Sequence, residues 1–221
     1  MHENAPTPFI PHFGLRQRLA RDGKPAGDKA MPQFEVEYHA AIVKQACPQD
    51  PTIEAGLAMI VAANVATDLD QFHSELHFDN CAFGPGVQRI RSLWQLIESP
   101  SVEQNPFVLF GTLTHTVEDF YAHSNWVELH QGESQVPVWD LDLASLPPQI
   151  VSGTFLLDSP KLCGPGAPTH EQLNKDSPTS SEGGKVVQSG PNQGRKLFDL
   201  AFDAAVRATR VQFERLQTVI G

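Results

Sequence analysis

Apolar residues recur at helical spacing along most of this chain. In VQRIRSLWQLIES, the residues Val87, Ile90, Leu93, Trp94 and Ile97 share one face, which predicts an amphipathic helix ended by Pro100. A helix is expected from near Phe34, carrying His39, Ile42 and Val43 inward and stopping before Pro48. Asp50-Pro51-Thr52-Ile53-Glu54 reads as a helix start, with an Asp cap, a Pro at the first position and acid in the first turn. The following run, AGLAMIVAANVA, is apolar on nearly every face and predicts a buried helix. Gly84-Pro85-Gly86 reads as a turn, and Pro106 to Leu129 as one long helix.

From Gln131 to Arg195 the pattern breaks down into prolines and glycines, with PPQIVSGTFLLD as the place for a short strand and THEQLNKD as a polar loop. Residues 197–219 return to an amphipathic helix with Leu197, Ala201, Ala204, Ala205, Ala208, Val211, Phe213 and Leu216 as its buried face. The expectation is an all-α fold: a single irregular helical bundle with a long loop-rich segment before the C-terminal helix. Residues 1–32, rich in Pro, Gly and charge, read as an N-terminal arm, and 33–221 as the helical domain.

Composition narrows the class. With 40% hydrophobic and 19% charged residues the chain is globular, and it has no apolar stretch long enough for a membrane span. The N-terminal stretch lacks the apolar segment of a classical secretory signal, so the expectation is a protein that is cytoplasmic as made or exported by a specialised route. A formal net charge of −10 with no basic patch gives no strong nucleic-acid signal. Cys47, Cys81 and Cys163 are odd in number and form no C-x-x-C pair, so they read as small core side chains rather than a disulfide or a thiolate metal site.

Candidate chemistry lies in the histidines and aspartates. His115, Asp119 and His123 recur every fourth residue, so all three share one stripe of a helix that has no clear solvent face. Buried Asp and His need partners, and a divalent metal supplies them. A second group, Asp68, Asp70, His73, His77 and Asp79, lies in a polar segment where either His73 or His77 could be an ordinary exposed side chain. His170, six residues before Asp176, and His39 complete the set. No G-x-S-x-G elbow, phosphate-cradling glycine loop or H-E-x-x-H pair occurs.

The stretch HTVEDFYAHSNWVEL, His115 to Leu129, resembles the core motif of the Het-C (heterokaryon incompatibility) family. Asn64-Val65-Ala66-Thr67-Asp68-Leu69-Asp70-Gln71, His77-Phe78-Asp79 and Leu173-Asn174-Lys175-Asp176 are similar to that family's further signatures, in the same order. More distantly the pattern resembles the zinc-dependent phospholipase C and single-strand zinc nuclease superfamily. That resemblance implies a nearly all-helical fold with a cluster of two or three zinc ions. It implies His39, Asp68, His77, His115, Asp119, His123 and His170 as metal ligands, with Asp68 also orienting the attacking water. The last ligand of those enzymes, a glutamate, falls on Asn174, so that Asp176 replaces it or the site lacks it. No tryptophan precedes Trp94, and the terminal tryptophan amine that binds a third metal has no counterpart.

The function so implied is a zinc-dependent phosphodiester hydrolase of phospholipase C type. Its substrate would be a phospholipid or another phosphate ester, reached through peripheral membrane contact, and it would suit a toxin or effector. Two alternatives remain: a nuclease on the same metal cluster, and a non-enzymatic interaction module with structural metals. Imidazole and carboxylate ligands suit zinc and other divalent metals alike.

Overall fold

The computed structural model describes residues 36–48, 53–99, 104–155 and 158–220. The N-terminal arm, the helix start at Phe34, the cap at Asp50-Pro51-Thr52 and the stop at Pro100 lie outside these residues. The fold is all-α. Eight α-helices are present among the described residues: α1 (Val36–Ala46), α2 (Glu54–Thr67), α3 (Ser74–His77), α4 (Phe83–Ile97), α5 (Pro106–His123), α6 (Trp126–His130), α7 (His170–Leu173) and α8 (Leu197–Ile220).

Helix α5 is the axis of the bundle, packed against α2, α4 and α8. Asn105 caps it by accepting from the Phe107 amide at 2.9 Å, with Pro106 in the first turn where no amide donor is needed. Phe110, Leu113, Phe120 and Tyr121 are buried at its centre, each contributing about 1.5–3 kcal/mol of hydrophobic free energy. Gly111 lets α2 approach closely, since a Cβ there would collide with the Ile60 carbonyl. The last helix, α8, buries Ala201, Ala204, Ala205 and Ala208, whose small side chains allow tight packing, along with Phe213 and Leu216.

Several local expectations are corrected. Gly84-Pro85-Gly86 lies in the first turn of α4, where Pro85 costs nothing because an amide at its position would have no intrahelical acceptor. Helix α2 is buried on one face only, through Gly56, Ile60 and Asn64, while Met59 is exposed. Val211 is half exposed rather than buried.

The long helix from Pro106 to Leu129 breaks at Ser124, which has extended backbone angles, and resumes as α6. The break coincides with the segment around Ser152: Asn125 donates to the Val151 carbonyl at 3.0 Å, and Ser124 and Ser152 form an isolated antiparallel bridge. Fully buried Lys175 completes this junction, donating to the carbonyls of Ser124 (2.9 Å) and Leu173 (2.7 Å) and to Glu128 Oε1 (2.8 Å). The Ser152 region thus forms isolated bridges, not a strand, among the described residues.

The cysteine reading is also corrected. Cys47 is free and buried, but Cys81 and Cys163 form a disulfide with Cα atoms 5.0 Å apart. A sequence separation of 82 hid the pairing, which depends on residues 162–163 folding back on Asn80, whose carbonyl accepts from the amides of Leu162 (2.8 Å) and Cys163 (3.1 Å).

Candidate metal centre

Five helices and the short segments that follow them converge on one buried cluster of imidazoles and carboxylates. Helix α1 supplies His39, the C-terminal end of α2 supplies Asp68, and α3 and the turn after it supply His77 and Asp79. Helix α5 supplies His115, Asp119 and His123 from one stripe, and α7 and its C-terminal end supply His170 and Asp176. All are buried.

The turn Phe78–Cys81 aims two of these groups. Phe78, Asn80 and Cys81 have φ of 55°, 53° and 58°, left-handed values that cost non-glycine residues about 1–2 kcal/mol each. Surrounding contacts hold them there. The Phe78 ring packs against Phe83, Phe120 and Trp139, and Asn80 donates to Ser74 Oγ and the Phe155 carbonyl. The disulfide clamps Cys81.

Proton positions follow from acceptors that can only accept. His77 Nε2 lies 2.9 Å from the Asp70 carbonyl, so Nε2 carries the hydrogen and the Nδ1 lone pair faces the cluster. His123 Nδ1 lies 3.0 Å from the His77 carbonyl, so its Nε2 faces inward. His170 Nδ1 lies 3.0 Å from Asp79 Oδ1, leaving its Nε2 inward as well.

Two ligand sets result. In the first, Asp119 Oδ2 lies 2.9 Å from His77 Nδ1 and 3.0 Å from His115 Nε2; those nitrogens are 3.2 Å apart, and Asp68 Oδ1 is 3.8 Å from His115 Nε2. A tetrahedral zinc with bonds of about 2.0–2.1 Å has ligand–ligand edges of about 3.3 Å, so this spacing fits one ion. Asp119 Oδ1 makes no hydrogen bond and lies 3.3 Å from His39 Nε2, so the same carboxylate reaches toward a further position.

The second set is His123 Nε2, 3.0 Å from Asp176 Oδ1, and His170 Nε2, 3.6 Å from Asp176 Oδ2, an oxygen that makes no hydrogen bond. Asp79, His123 and His170 also offer ligand atoms within 4.8 Å of one another. The hydrogen-bond pattern gives Asp79 an outer role, holding His170 by Nδ1. Asn174 accepts from the Asp176 amide at 2.8 Å and directs its amide nitrogen at His170 Nε2, 3.3 Å away, so its oxygen is turned from the cluster. Asp176 is therefore the better placed of the two candidates for the last ligand.

Without metal, protons hold the cluster together. Burial alone would lower the His123 pKa, but the carboxylates of Asp176, Asp79 and Asp119 outweigh it and push it up to about 9. His39, His77 and His170 are likewise raised against the effect of burial, chiefly by Asp119 for the first two and Asp79 for the third. Burial would raise Asp119, yet His115, His123 and His39 hold it well below the usual carboxylate range. His115 is pushed down to about 3 by burial, and Asp68 up to about 6 by burial. A site whose charged groups must bind protons to balance one another is well matched to divalent cations.

All eight expected ligands, His39, Asp68, His77, His115, Asp119, His123, His170 and Asp176, meet in this cluster. His73 and the Asp70 side chain do not; both are about half exposed and pair with each other at 3.9 Å. His170 sits on a helical turn rather than in the loop expected for it. Two buried acids were missed. Glu118 accepts from His39, and its neighbour Asp119 was the available clue. Asp158 lies in the loop-rich segment, is pushed up to about 6 by burial and the Asp79 charge, and interacts with His77, His170 and His123. Its Oδ1 makes no hydrogen bond. No spacing rule links it to the other residues.

A family model described as VWA7 N-terminal domain matches residues 36–144. The chain is similar to that domain. The matched region includes His39, Asp68, His77, His115, Asp119 and His123, and ends before Asp158, His170 and Asp176. No curated protein and no solved structure matches the chain.

Proposed function

We propose that this protein is a metal-dependent phosphodiester hydrolase of phospholipase C type, as its resemblance to Het-C proteins implies. The observation that carries the reading is that His77, His123 and His170 each have one ring nitrogen tied to a fixed acceptor and the other turned toward Asp119 or Asp176. Structural ion pairs have no need of this arrangement, whereas metal-binding histidines do. Zinc suits the mixed imidazole and carboxylate donors, and other divalent metals suit them too. Divalent ions there would supply Lewis acidity toward a phosphate group and toward water.

Within that frame Asp68 is the group to orient the attacking water and accept its proton. It stands at the edge of the first ligand set and ends α2 next to exposed Leu69. A phospholipid substrate is favoured over single-stranded DNA by an apolar lip: Leu69 and Phe72 are exposed in the loop between Asp68 and His77, and the Phe72 carbonyl accepts from Ser159, three residues before exposed Leu162. No helix among the described residues is long and apolar enough to cross a membrane, so contact with lipid would be peripheral. The Cys81–Cys163 disulfide supports a working place in an oxidising compartment, reached by whatever route the protein is exported.

The test is hydrolysis of phospholipid vesicles and of single-stranded DNA, before and after chelation and zinc re-addition. Vesicle hydrolysis lost on chelation, restored by zinc and abolished in Asp68→Asn supports the reading. DNA cleavage alone would make the protein a nuclease. Metal-dependent folding with neither activity would make it an interaction module with structural metals.

A further inference from the structure

Glu118 lies one residue before Asp119 and is fully buried, as are the three side chains that surround it. Its Oε2 is 2.7 Å from His39 Nδ1 and 3.0 Å from Asn64 Nδ2, and its Oε1 is 3.0 Å from Thr209 Oγ1. These contacts join α1, α2, α5 and α8 at one point.

The direction of each hydrogen bond can be worked out. Thr114 Oγ1 donates its hydrogen to the Gly111 carbonyl at 3.0 Å, so toward Asn64 it can only accept. It lies 3.0 Å from Asn64 Nδ2, which fixes the orientation of that amide and makes it a donor to Glu118 as well. With Asn64 and Thr209 both donating, Glu118 is an acceptor, and the hydrogen between Glu118 and His39 belongs to His39 Nδ1. His39 Nε2 then faces Asp119 Oδ1 across 3.3 Å.

We infer that Glu118 is a positioning residue for metal binding, holding His39 with Nε2 aimed beside Asp119 and tying that aim to the packing of α2 and α8 through Asn64 and Thr209. The inference rests on the proposed metal centre and deepens it. Neither Glu118 nor Thr209 would touch a metal, yet both would set its affinity, because an imidazole that loses its outer carboxylate also loses its ring orientation and basicity.

The experiment measures zinc affinity of the full chain by competition with a chromophoric chelator, with helicity of the metal-free protein as the check on folding. Glu118→Gln should weaken one bound equivalent by about 10–100-fold. The same equivalent should weaken in His39→Ala, and the Glu118→Gln/His39→Ala double variant should be no weaker than His39→Ala alone. Thr209→Val, which removes one donor and keeps the carboxylate, should give a smaller loss at that equivalent. Losses that add in the double variant would overturn the inference, as would native affinity in Glu118→Gln. Should Glu118→Gln fail to fold, unchanged affinity in Thr209→Val overturns it. A native protein that binds no zinc would instead remove the metal centre itself, a separate outcome.

Discussion

Asp119 Oδ2 lies 2.9 Å from the Nδ1 of His77, although the two are 42 positions apart in sequence. This contact joins the central helix α5 to the end of α3, and His115 reaches the same oxygen at 3.0 Å. Replacing Asp119 therefore strikes both the ligand set and the charge balance. Asp119→Asn should lose the metal held by the first set and lower the stability of the metal-free protein by about 3–5 kcal/mol, because buried imidazoliums lose their counter-charge. Elemental analysis and chemical denaturation check the two effects separately. Native metal content in the variant would argue against this ligand set.

The two sets should also empty independently. His115→Ala should lose metal from the first set and retain it in the second, and His123→Ala the reverse, with the double variant binding little. Metal content of the three variants, purified without chelators, checks this.

The metal-free protein should become less stable as pH rises. His123 is raised from 6.5 to about 9, so the stability it lends is fully present below 6.5 and is lost as pH climbs through about 9. His39, His77 and His170 are raised and act in the same sense. Zinc requires unprotonated ligands, so its stabilising effect should grow over the same window. Thermal melts with chelator and with zinc, from pH 6.5 to about 9, should diverge; parallel curves would contradict the assignment.

Phe72→Ser should slow hydrolysis of phospholipid vesicles and leave hydrolysis of a soluble phosphate ester unchanged. Phe72 is 59% exposed and is not among the cluster residues, so an equal loss on both substrates would count against a lipid-facing role.

Lys175→Met should destabilise the fold by about 3 kcal/mol, since it leaves two buried carbonyls and Glu128 without their cation. Denaturant titration measures it.

Much of the fold was legible in the sequence because helical periodicity is a local property. The amphipathic stretch of α4, the stripe His115–Asp119–His123 and the alanine face of α8 follow from spacing alone. All eight candidate ligands were named from the sequence, through that stripe and through motifs that resemble a known family.

What only the tertiary structure decided depends on contacts between distant segments. The break at Ser124 follows from the segment around Ser152 and from Lys175, 51 residues away. The Cys81–Cys163 disulfide follows from a loop returning to Asn80. Asp158 and Glu118 are buried beside the cluster only because segments distant in sequence pack together there. The sequence by itself determined the helices and the stock of ligands, since both are written in neighbouring residues. Which nitrogen of each histidine faces the cluster was decided by acceptors such as the carbonyls of Asp70 and His77, whose positions exist only once the chain is folded.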